Sequence, residues 1–392
     1  MGKQRMVLPL DVGLLRICAQ GLVSATASST VEDAVSRLLA VQGQQVSALP
    51  HALIARVPGA RGSDVKEAFD SRVLVRHRPM RGTVHITHAR DYHWMRVALK
   101  PGLSSWEKRH YPASGITEKV VTQANHLAWE IIADQGGAAT RAQLFAAGDN
   151  RLNTGHLSDK ASRRRWCQLL MYATMNTGAL VEGPTAKNQH LFIDARALPS
   201  ENSAESGFQL TEQRRQEGVV EIARRYITGH GPVTVEDFAW WAGLKKSTAT
   251  SALESALDQD SSLGRFSVLH DELRPAGKTP AVPKGSETLY MSTQLPDILA
   301  SCYNEASQLF FLPSFDEMHV GYANRTCTTD TEGARLICPA SNGMFRPLLI
   351  HQGRVIGVRP ARTPIEWLEQ PNAEVVSATE RLVSETLKRL AS

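Results

Sequence analysis

The chain has 392 residues, of which 42% are hydrophobic, and a formal net charge of +5. This length allows two or three domains with cores of their own, and the excess of positive charge suits a polyanionic partner. No run of about 20 apolar residues could cross a membrane, and the five cysteines form no CxxC pair. We therefore expect a cytoplasmic protein without a membrane partner, a disulfide framework or a zinc site.

The first hundred residues are predicted to form short helices followed by one β-hairpin. Apolar spacing indicates helices over 11–22 and 31–41, the second with Thr30 as its N-cap. Alternating residues at 73–77 and 83–86 then indicate two strands joined by a turn. Several helices followed by a two-stranded hairpin are typical of a winged-helix module.

The same order of elements recurs in the next segment. A long helix over 118–135 precedes two shorter ones, which Thr140 and Ser158 begin. Strands at 178–181 and 189–193 complete this second copy. The polar stretch after it has the composition of a linker and covers residues 199–203.

A third copy has the clearest sequence signals. Thr234 caps a short helix that ends at Trp240 and Trp241, Gly243 forms a turn, and a helix over 245–257 follows. We expect both tryptophans in the core, because aromatic residues at the end of a short packed helix are usually buried. A strand pair is predicted around residues 270–271.

The remainder of the chain is predicted to be rich in β-structure. An apolar run ends at Asp316 and Glu317, which would point to opposite faces of a strand. Acid/base chemistry between them is therefore not expected, and one of them is expected to hold a basic residue. A hairpin over 347–358 turns at Gly353, and a helix over 373–390 closes the region.

Three helix–hairpin copies in one chain favour DNA binding, since one such pattern alone is weak evidence. Basic residues recur at exposed positions of these copies and favour phosphate contacts. We therefore predict an α+β fold with three tandem winged-helix modules and a β-rich C-terminal region. The predicted domains are module 1 with residues 1–115, module 2 with 116–200, module 3 with 201–300, and the C-terminal region with 301–392.

Gln42 and Gln44 flank Gly43 at the end of the second helix and have the clearest potential for chemistry. Residues two apart lie about 200° apart on a helix but point the same way in an extended chain. We therefore expect the helix to end at Gly43, where a residue without Cβ can adopt a left-handed conformation. Two convergent amides could then hold a water molecule. The other interpretation is a solvated helix end, which the local sequence favours.

Several motifs together resemble one family, the AlkZ-like winged-helix DNA glycosylases. They follow the family's order along nearly the whole chain. They are AVSRLLAVQGQ (34–44), RGTVH (81–85), GHGPVTVEDFAWWAGL (229–244), LPSFDE (312–317), Gly321-Tyr322 and QGRVIG (352–357).

The resemblance implies a C-shaped, monomeric DNA glycosylase that needs no metal and no other cofactor. It implies that Gln42 and Gln44 are catalytic, lie in the concave cleft and position a water molecule at C1′. The residue between the two glutamines is typically apolar in the family and is Gly43 here.

The implied substrate is double-stranded DNA carrying N7-alkylated purines, including those in interstrand crosslinks, in the nucleoid. An N7-alkylated guanine is already cationic and leaves without a general acid, which suits uncharged amides. The alternative is a non-catalytic winged-helix DNA-binding protein or transcriptional regulator. The residues predicted to contact DNA are Arg81, His85, Arg163, Arg164, Arg165, Lys245, Lys246, His351 and Arg354.

Overall fold

The computed structural model describes residues 6–99, 105–152, 157, 159–187, 189–199, 211–269, 272–276, 286–361 and 363–392. The chain forms two compact units. The first contains residues 1–65 and 211–392, and the second contains residues 66–210. Within the described ranges, no helix is long and apolar enough to cross a membrane.

The described residues form α-helices and short β-strands. Before residue 210 they are α1 (Leu10–Ala19), α2 (Val31–Leu38), β1 (Val41–Gln42), α3 (Leu49–Ile54), α4 (Gly62–Asp70), β2 (Leu74–Met80), β3 (Thr83–His88), α5 (Tyr92–Leu99), α6 (Ser105–Ala113), α7 (Glu118–Asp134), α8 (Arg141–Arg151), α9 (Lys160–Thr177), β4 (Leu180–Ala186) and β5 (Gln189–Asp194).

After residue 210 they are α10 (Glu212–His230), α11 (Val235–Ala242), α12 (Lys246–Gln259), β6 (Leu263–Leu269), β7 (Glu272–Pro275), β8 (Glu287–Ser292), α13 (Leu295–Ala306), β9 (Phe310–Leu312), α14 (Glu317–Val320), α15 (Thr331–Ile337), β10 (Leu348–His351), β11 (Arg354–Val358), β12 (Glu366–Trp367) and α16 (Ala373–Ala391).

Two antiparallel hairpins meet in the second unit. Its strands lie in the order β3-β2-β4-β5, and β2 joins β4 where Arg76 pairs with Glu182. Helices α7, α8 and α9 cover β4 and β5 with an apolar cluster around Phe192 and Met171. Each hairpin follows helices in the chain, as the sequence predicts.

The first unit contains a helix triplet, two sheets and one large core. Helices α10, α11 and α12 precede the three-stranded sheet β7-β6-β8, and the C-terminal strands form the sheet β12-β11-β10-β9. The largest core cluster joins α1 to α13 and to strands of both sheets. The N-terminal residues thus fold together with the last 182 residues of the chain.

Most of the predicted helices and strands are present, and the predicted helix caps are confirmed. The side-chain oxygens of Thr30, Thr140 and Thr234 accept hydrogen bonds from backbone amides at the starts of α2, α8 and α11. Helices α5, α6, α13 and α15 and strands β8 and β12 were not predicted. Ser158, residues 200–203 of the expected linker and residues 270–271 lie outside the described residues, and Asp159 caps α9.

Two expectations about the tryptophans and the paired carboxylates are wrong. Residues 316 and 317 begin the helix α14 instead of lying on a strand, because the Asp316 side chain caps that helix by accepting from the Met318 amide at 2.9 Å. Trp241 is buried as predicted, whereas Trp240 is 37% exposed. The guanidinium of Arg325 lies 5.3 Å from the centre of the Trp240 ring, which gives that ring a polar neighbour. The module boundaries at 115, 200 and 300 stay a prediction.

Candidate active site

The segment that leads to the two glutamines has a strained backbone. Helix α2 ends at Leu38, and Leu39 has φ 63° and ψ −48°. The Ala40 amide donates to the Leu38 carbonyl at 2.7 Å, which closes a γ-turn of the rare, positive-φ kind. The predicted helix end at Gly43 is therefore wrong. The buried side chain of Leu39 anchors the turn in the core, and the chain leaves the helix four residues before the glycine.

Beyond this turn the chain is extended at Gln42, which belongs to β1, and bends at Gln44. Gln42 is half-buried, Gly43 is buried, and Gln44 is exposed. An extended backbone at Gln42 is the geometry in which alternate side chains can face one site. Gln45 is exposed, and its amide donates to the Ser47 hydroxyl at 3.1 Å, as expected for a solvated segment.

A buried carboxylate holds the backbone of Gln42. The Gln42 amide donates to Glu317 Oε1 at 2.8 Å. The other oxygen, Oε2, accepts from the Trp241 indole at 3.1 Å and lies 3.3 Å from His230 Nε2. These three side chains are no more than 1% exposed. Four elements, β1, α14, α10 and α11, therefore meet at one carboxylate.

The imidazole of His230 has few ways to hydrogen-bond. Burial lowers the pKa of His230, while its hydrogen bond to Glu317 opposes that change. A neutral ring can donate from Nε2 to the carboxylate, and Nδ1 has no hydrogen-bond partner in the described part of the protein. Tyr226 stacks on the ring at 4.6 Å between centroids. The ring is thus fixed in orientation.

The residue before Glu317 is fixed by an arginine. Both oxygens of Asp316 accept from Arg56 at 2.9 Å, and both side chains are fully buried. This confirms the expectation that one of the two carboxylates holds a basic residue. Phe315, which precedes them, has φ 63°, an uncommon value for a bulky residue. The segment 315–317 is therefore held in a specific conformation beside Gln42.

The first unit also contains four of the predicted DNA contacts. Lys245 and Lys246 are exposed at the start of α12, where Lys246 also pairs with Glu236 at 3.0 Å. His351 is half-buried and Arg354 is exposed, on either side of the hairpin turn. The turn itself lies on α1, because a Cβ at Gly353 would be 3.0 Å from Leu14. The turn is thus packed at Gly353, while Gln352 and Arg354 are exposed.

The second unit contains the other five predicted contacts. Arg164 and Arg165 are exposed near the start of α9, and half-buried Arg163 lies 3.8 Å from Asp149. Arg81 is half-buried in the β2–β3 turn. His85 is buried, and its Nδ1 lies 3.1 Å from the Thr83 carbonyl oxygen. This burial does not favour the DNA contact predicted for His85.

The acidic side chains of this region form no metal site with other described residues. In the part of the chain that the structure describes, no group of three or more His, Cys, Asp or Glu side chains could hold a metal ion. Asp316 and Glu317 are each occupied by the partners given above.

Comparisons with known proteins now identify the family. A family model described as DNA glycosylase AlkZ-like matches residues 35–392. The chain belongs to the AlkZ-like DNA glycosylase family. Among solved structures, the AlkZ DNA glycosylase of Streptomyces sahachiroi is similar, with a TM-score of 0.70 and 19% identity over 97% of this chain and 96% of that one. No curated protein matches.

Family membership confirms several predictions from the sequence. The AlkZ-like protein is a DNA-binding enzyme, a DNA glycosylase of DNA repair, which decides against the non-catalytic alternative. Its fold is α+β, with winged-helix modules and a β-rich C-terminal region.

Sequence reasoning did not predict that His230, Trp241 and Glu317 meet beside the Gln42 amide. It placed Trp241 in the core and expected Asp316 or Glu317 to hold a basic residue, while His230 served only to recognise the family. The signal was available in the composition of the motifs that contain them, because a histidine, an indole and a carboxylate in buried segments must find polar partners.

Proposed function

We propose that this AlkZ-like glycosylase excises N7-alkylated purines from duplex DNA, including purines in interstrand crosslinks, and that Gln42 and Gln44 position the attacking water. The observation that carries the proposal is the fixed, extended backbone of Gln42, whose amide donates to buried Glu317 at 2.8 Å. Preorganised polar groups accelerate a reaction because they need not reorganise as charge develops.

The proposed reaction suits two uncharged amides. Water oxygen forms a bond to C1′ while the C1′–N9 bond breaks, and the electron pair of that bond neutralises the cationic purine. The base leaves neutral, and the attacking water loses its proton to solvent. The main requirement is to orient one water molecule against a cationic sugar, and carboxamide oxygens can do this.

Base release from a defined duplex tests the glutamines. The substrate is duplex DNA containing one N7-methylguanine, with enzyme in excess so that a single turnover is followed. We expect the rate of free-base release to fall at least tenfold in Gln42→Ala and in Gln44→Ala. Gln45→Ala is the matched control, because this neighbouring exposed glutamine bonds only to Ser47 among the contacts described above, and we expect it to keep the wild-type rate.

The outcomes separate the proposal from its alternatives. Wild-type rates in both variants would remove the glutamines from the mechanism. Release of N7-methylguanine but not of a crosslinked purine would restrict the substrate to monoadducts. Binding of duplex DNA without release of either base would point to another lesion.

We infer that exposed cations of both units contact DNA phosphates, and that the enzyme acts as a monomer on DNA in the nucleoid. Arg164 and Arg165 are an exposed pair near the start of α9. Removing one cation that binds a phosphate should reduce the slope of log Kd against log salt concentration by about 0.9. Arg164→Ala/Arg165→Ala should therefore have a shallower slope than wild type, and the exposed Arg381→Ala on α16 should not. Light scattering measures the mass of the complex with a short duplex and so tests whether a single copy of the protein binds.

A further inference from the structure

The two oxygens of Glu317 have different partners. Oε1 accepts from the Gln42 backbone amide at 2.8 Å, and Oε2 faces the Trp241 indole at 3.1 Å and His230 at 3.3 Å. The carboxylate lies at the start of α14, whose N-cap, Asp316, is itself fixed by buried Arg56. Glu317 is thus fixed through the Asp316–Arg56 pair and accepts a hydrogen bond from the backbone of β1. A carboxylate held in this way can set the position of β1.

Strand β1 needs such a restraint because the backbone at Leu39, two residues before it, is strained. Leu39 is held at φ 63° and ψ −48° by its γ-turn, and such a conformation costs about 1–3 kcal/mol for a residue other than glycine. This strain persists only when surrounding contacts fix both ends of the segment. Burial of Leu39 fixes the end toward α2, and the hydrogen bond from the Gln42 amide to Glu317 fixes the other.

We propose that Glu317 is a positioning residue for the glycosylase reaction, which acts by fixing the backbone of Gln42. This proposal rests on the proposed role of Gln42 in catalysis. Glu317 touches neither substrate nor water in it, and contributes only through the placement of the Gln42 side chain.

The chemistry of the site requires a carboxylate at this position. An ionised carboxylate accepts at both oxygens, and here donors approach both, the Gln42 amide and the Trp241 indole. A glutamine has one oxygen and one NH₂ group. In Glu317→Gln, either orientation of the amide places two donors against each other, at Gln42 or at Trp241. If the NH₂ group faces Gln42, the hydrogen bond that fixes β1 is lost. If it faces Trp241, the side chain loses the donor that orients it against β1.

A double-mutant cycle measures the coupling between Glu317 and Gln42. Single-turnover release of N7-methylguanine is compared in wild type, Glu317→Gln, Gln42→Ala and the double variant. A shift of about 1 Å in a catalytic group can cost about 100-fold, so we expect Glu317→Gln to reduce the rate about 10- to 100-fold at unchanged Kd for the duplex. In the Gln42→Ala background the same change should cost less than about threefold, because the Gln42 side chain through which Glu317 is proposed to act is absent.

A rescue variant keeps the test independent of folding losses. Trp241→Phe removes the indole donor, so the amide of Glu317→Gln can turn its oxygen toward Gln42 and its NH₂ toward His230. The imidazole can accept there if its proton moves to Nδ1, which has no partner in the described structure. We expect Trp241→Phe/Glu317→Gln to release base within about threefold of the rate of Trp241→Phe alone, even if Glu317→Gln by itself fails to fold.

Asp237→Asn is the control for loss of a buried carboxylate as such. Asp237 is fully buried, pairs with Arg16 at 3.1 Å and lies in the same unit without contacting Gln42 in the hydrogen bonds described above. We expect lower thermal stability in this variant but no coupling to Gln42→Ala. A purely structural role for Glu317 would give the same pattern in Glu317→Gln, and this result would overturn the proposal.

The failure of each proposal is distinguishable. If Gln42→Ala releases base at the wild-type rate, the proposed function of Gln42 fails. If Gln42→Ala is slow but folded Glu317→Gln keeps the wild-type rate, only the positioning role fails. If the two effects multiply in the double variant, or if Trp241→Phe gives no rescue, Glu317 does not act through Gln42.

Discussion

Arg56 provides the most quantitative test of how the site is supported. Its guanidinium is fully buried, and its five N–H groups have five acceptors: the Gln20 carbonyl at 3.1 Å, Gln20 Oε1 at 2.7 Å, the Ala52 carbonyl at 2.8 Å, and the two oxygens of Asp316 at 2.9 Å each. A methionine has similar length but donates no hydrogen bond. Arg56→Met therefore leaves the Asp316 carboxylate buried without its counter-charge.

The expected cost follows from that uncompensated charge. Removal of one partner of a buried ion pair destabilises a protein by about 3–5 kcal/mol, a large part of a total free energy of unfolding of about 5–15 kcal/mol. Asp316→Asn in the Arg56→Met background removes the charge and keeps an oxygen for the Met318 amide, now 2.9 Å from Asp316 Oδ1. We expect this double variant to recover part of the lost free energy.

Urea unfolding followed by circular dichroism measures these differences. Arg381→Met on α16 is the matched control, because this exposed arginine bonds only to the Ser377 hydroxyl, at 3.1 Å, among the described hydrogen bonds, and should change the free energy of unfolding by less than about 0.5 kcal/mol. A loss below about 1 kcal/mol in Arg56→Met would refute the reasoning. So would a double variant less stable than Arg56→Met alone.

Two further predictions concern stability. Burial lowers the pKa of His51 to about 4, despite a hydrogen bond to the Phe311 carbonyl. Between about pH 6.5 and 4 the unfolded chain therefore binds a proton at this residue that the folded chain does not. The free energy of unfolding thus decreases as pH falls through this range, by at most about 3 kcal/mol. His51→Asn should show a smaller loss between pH 7 and 5 in urea unfolding, and an unchanged loss would contradict this origin. Gly353→Ala should cost about 1–3 kcal/mol, because φ is +75° and a Cβ would lie 3.0 Å from Leu14. Gly343→Ala, at φ +77° with no atom within 4 Å, isolates the backbone contribution in thermal unfolding.

Local signals in the sequence account for the parts of the fold that were predicted. Thr30, Thr140 and Thr234 cap helices through bonds to residues three positions away, and the hairpin at 352–353 needs only its own two residues at positive φ. Such features depend on a few neighbouring residues, so composition and spacing identify them.

The helix end before Gln42 depends on distant residues and was mispredicted. Gly43 is the better local stop, yet the chain turns at Leu39, whose side chain is buried in the folded core. The hydrogen bond from the Gln42 amide to Glu317 likewise spans 275 residues of sequence. No local propensity encodes either contact, and tertiary packing overrides the glycine signal.

The distance in sequence between Gln42 and Glu317 also means that the candidate site is completed late in protein synthesis. Gln42 leaves the ribosome 275 residues before Glu317, which at about 5–20 residues per second is a delay of roughly 15–55 s. During that time β1 lacks the carboxylate that fixes it, although all residues of the second unit, 66–210, have already been synthesised. Fragments that stop before residue 317 should therefore lack glycosylase activity even though they contain both glutamines.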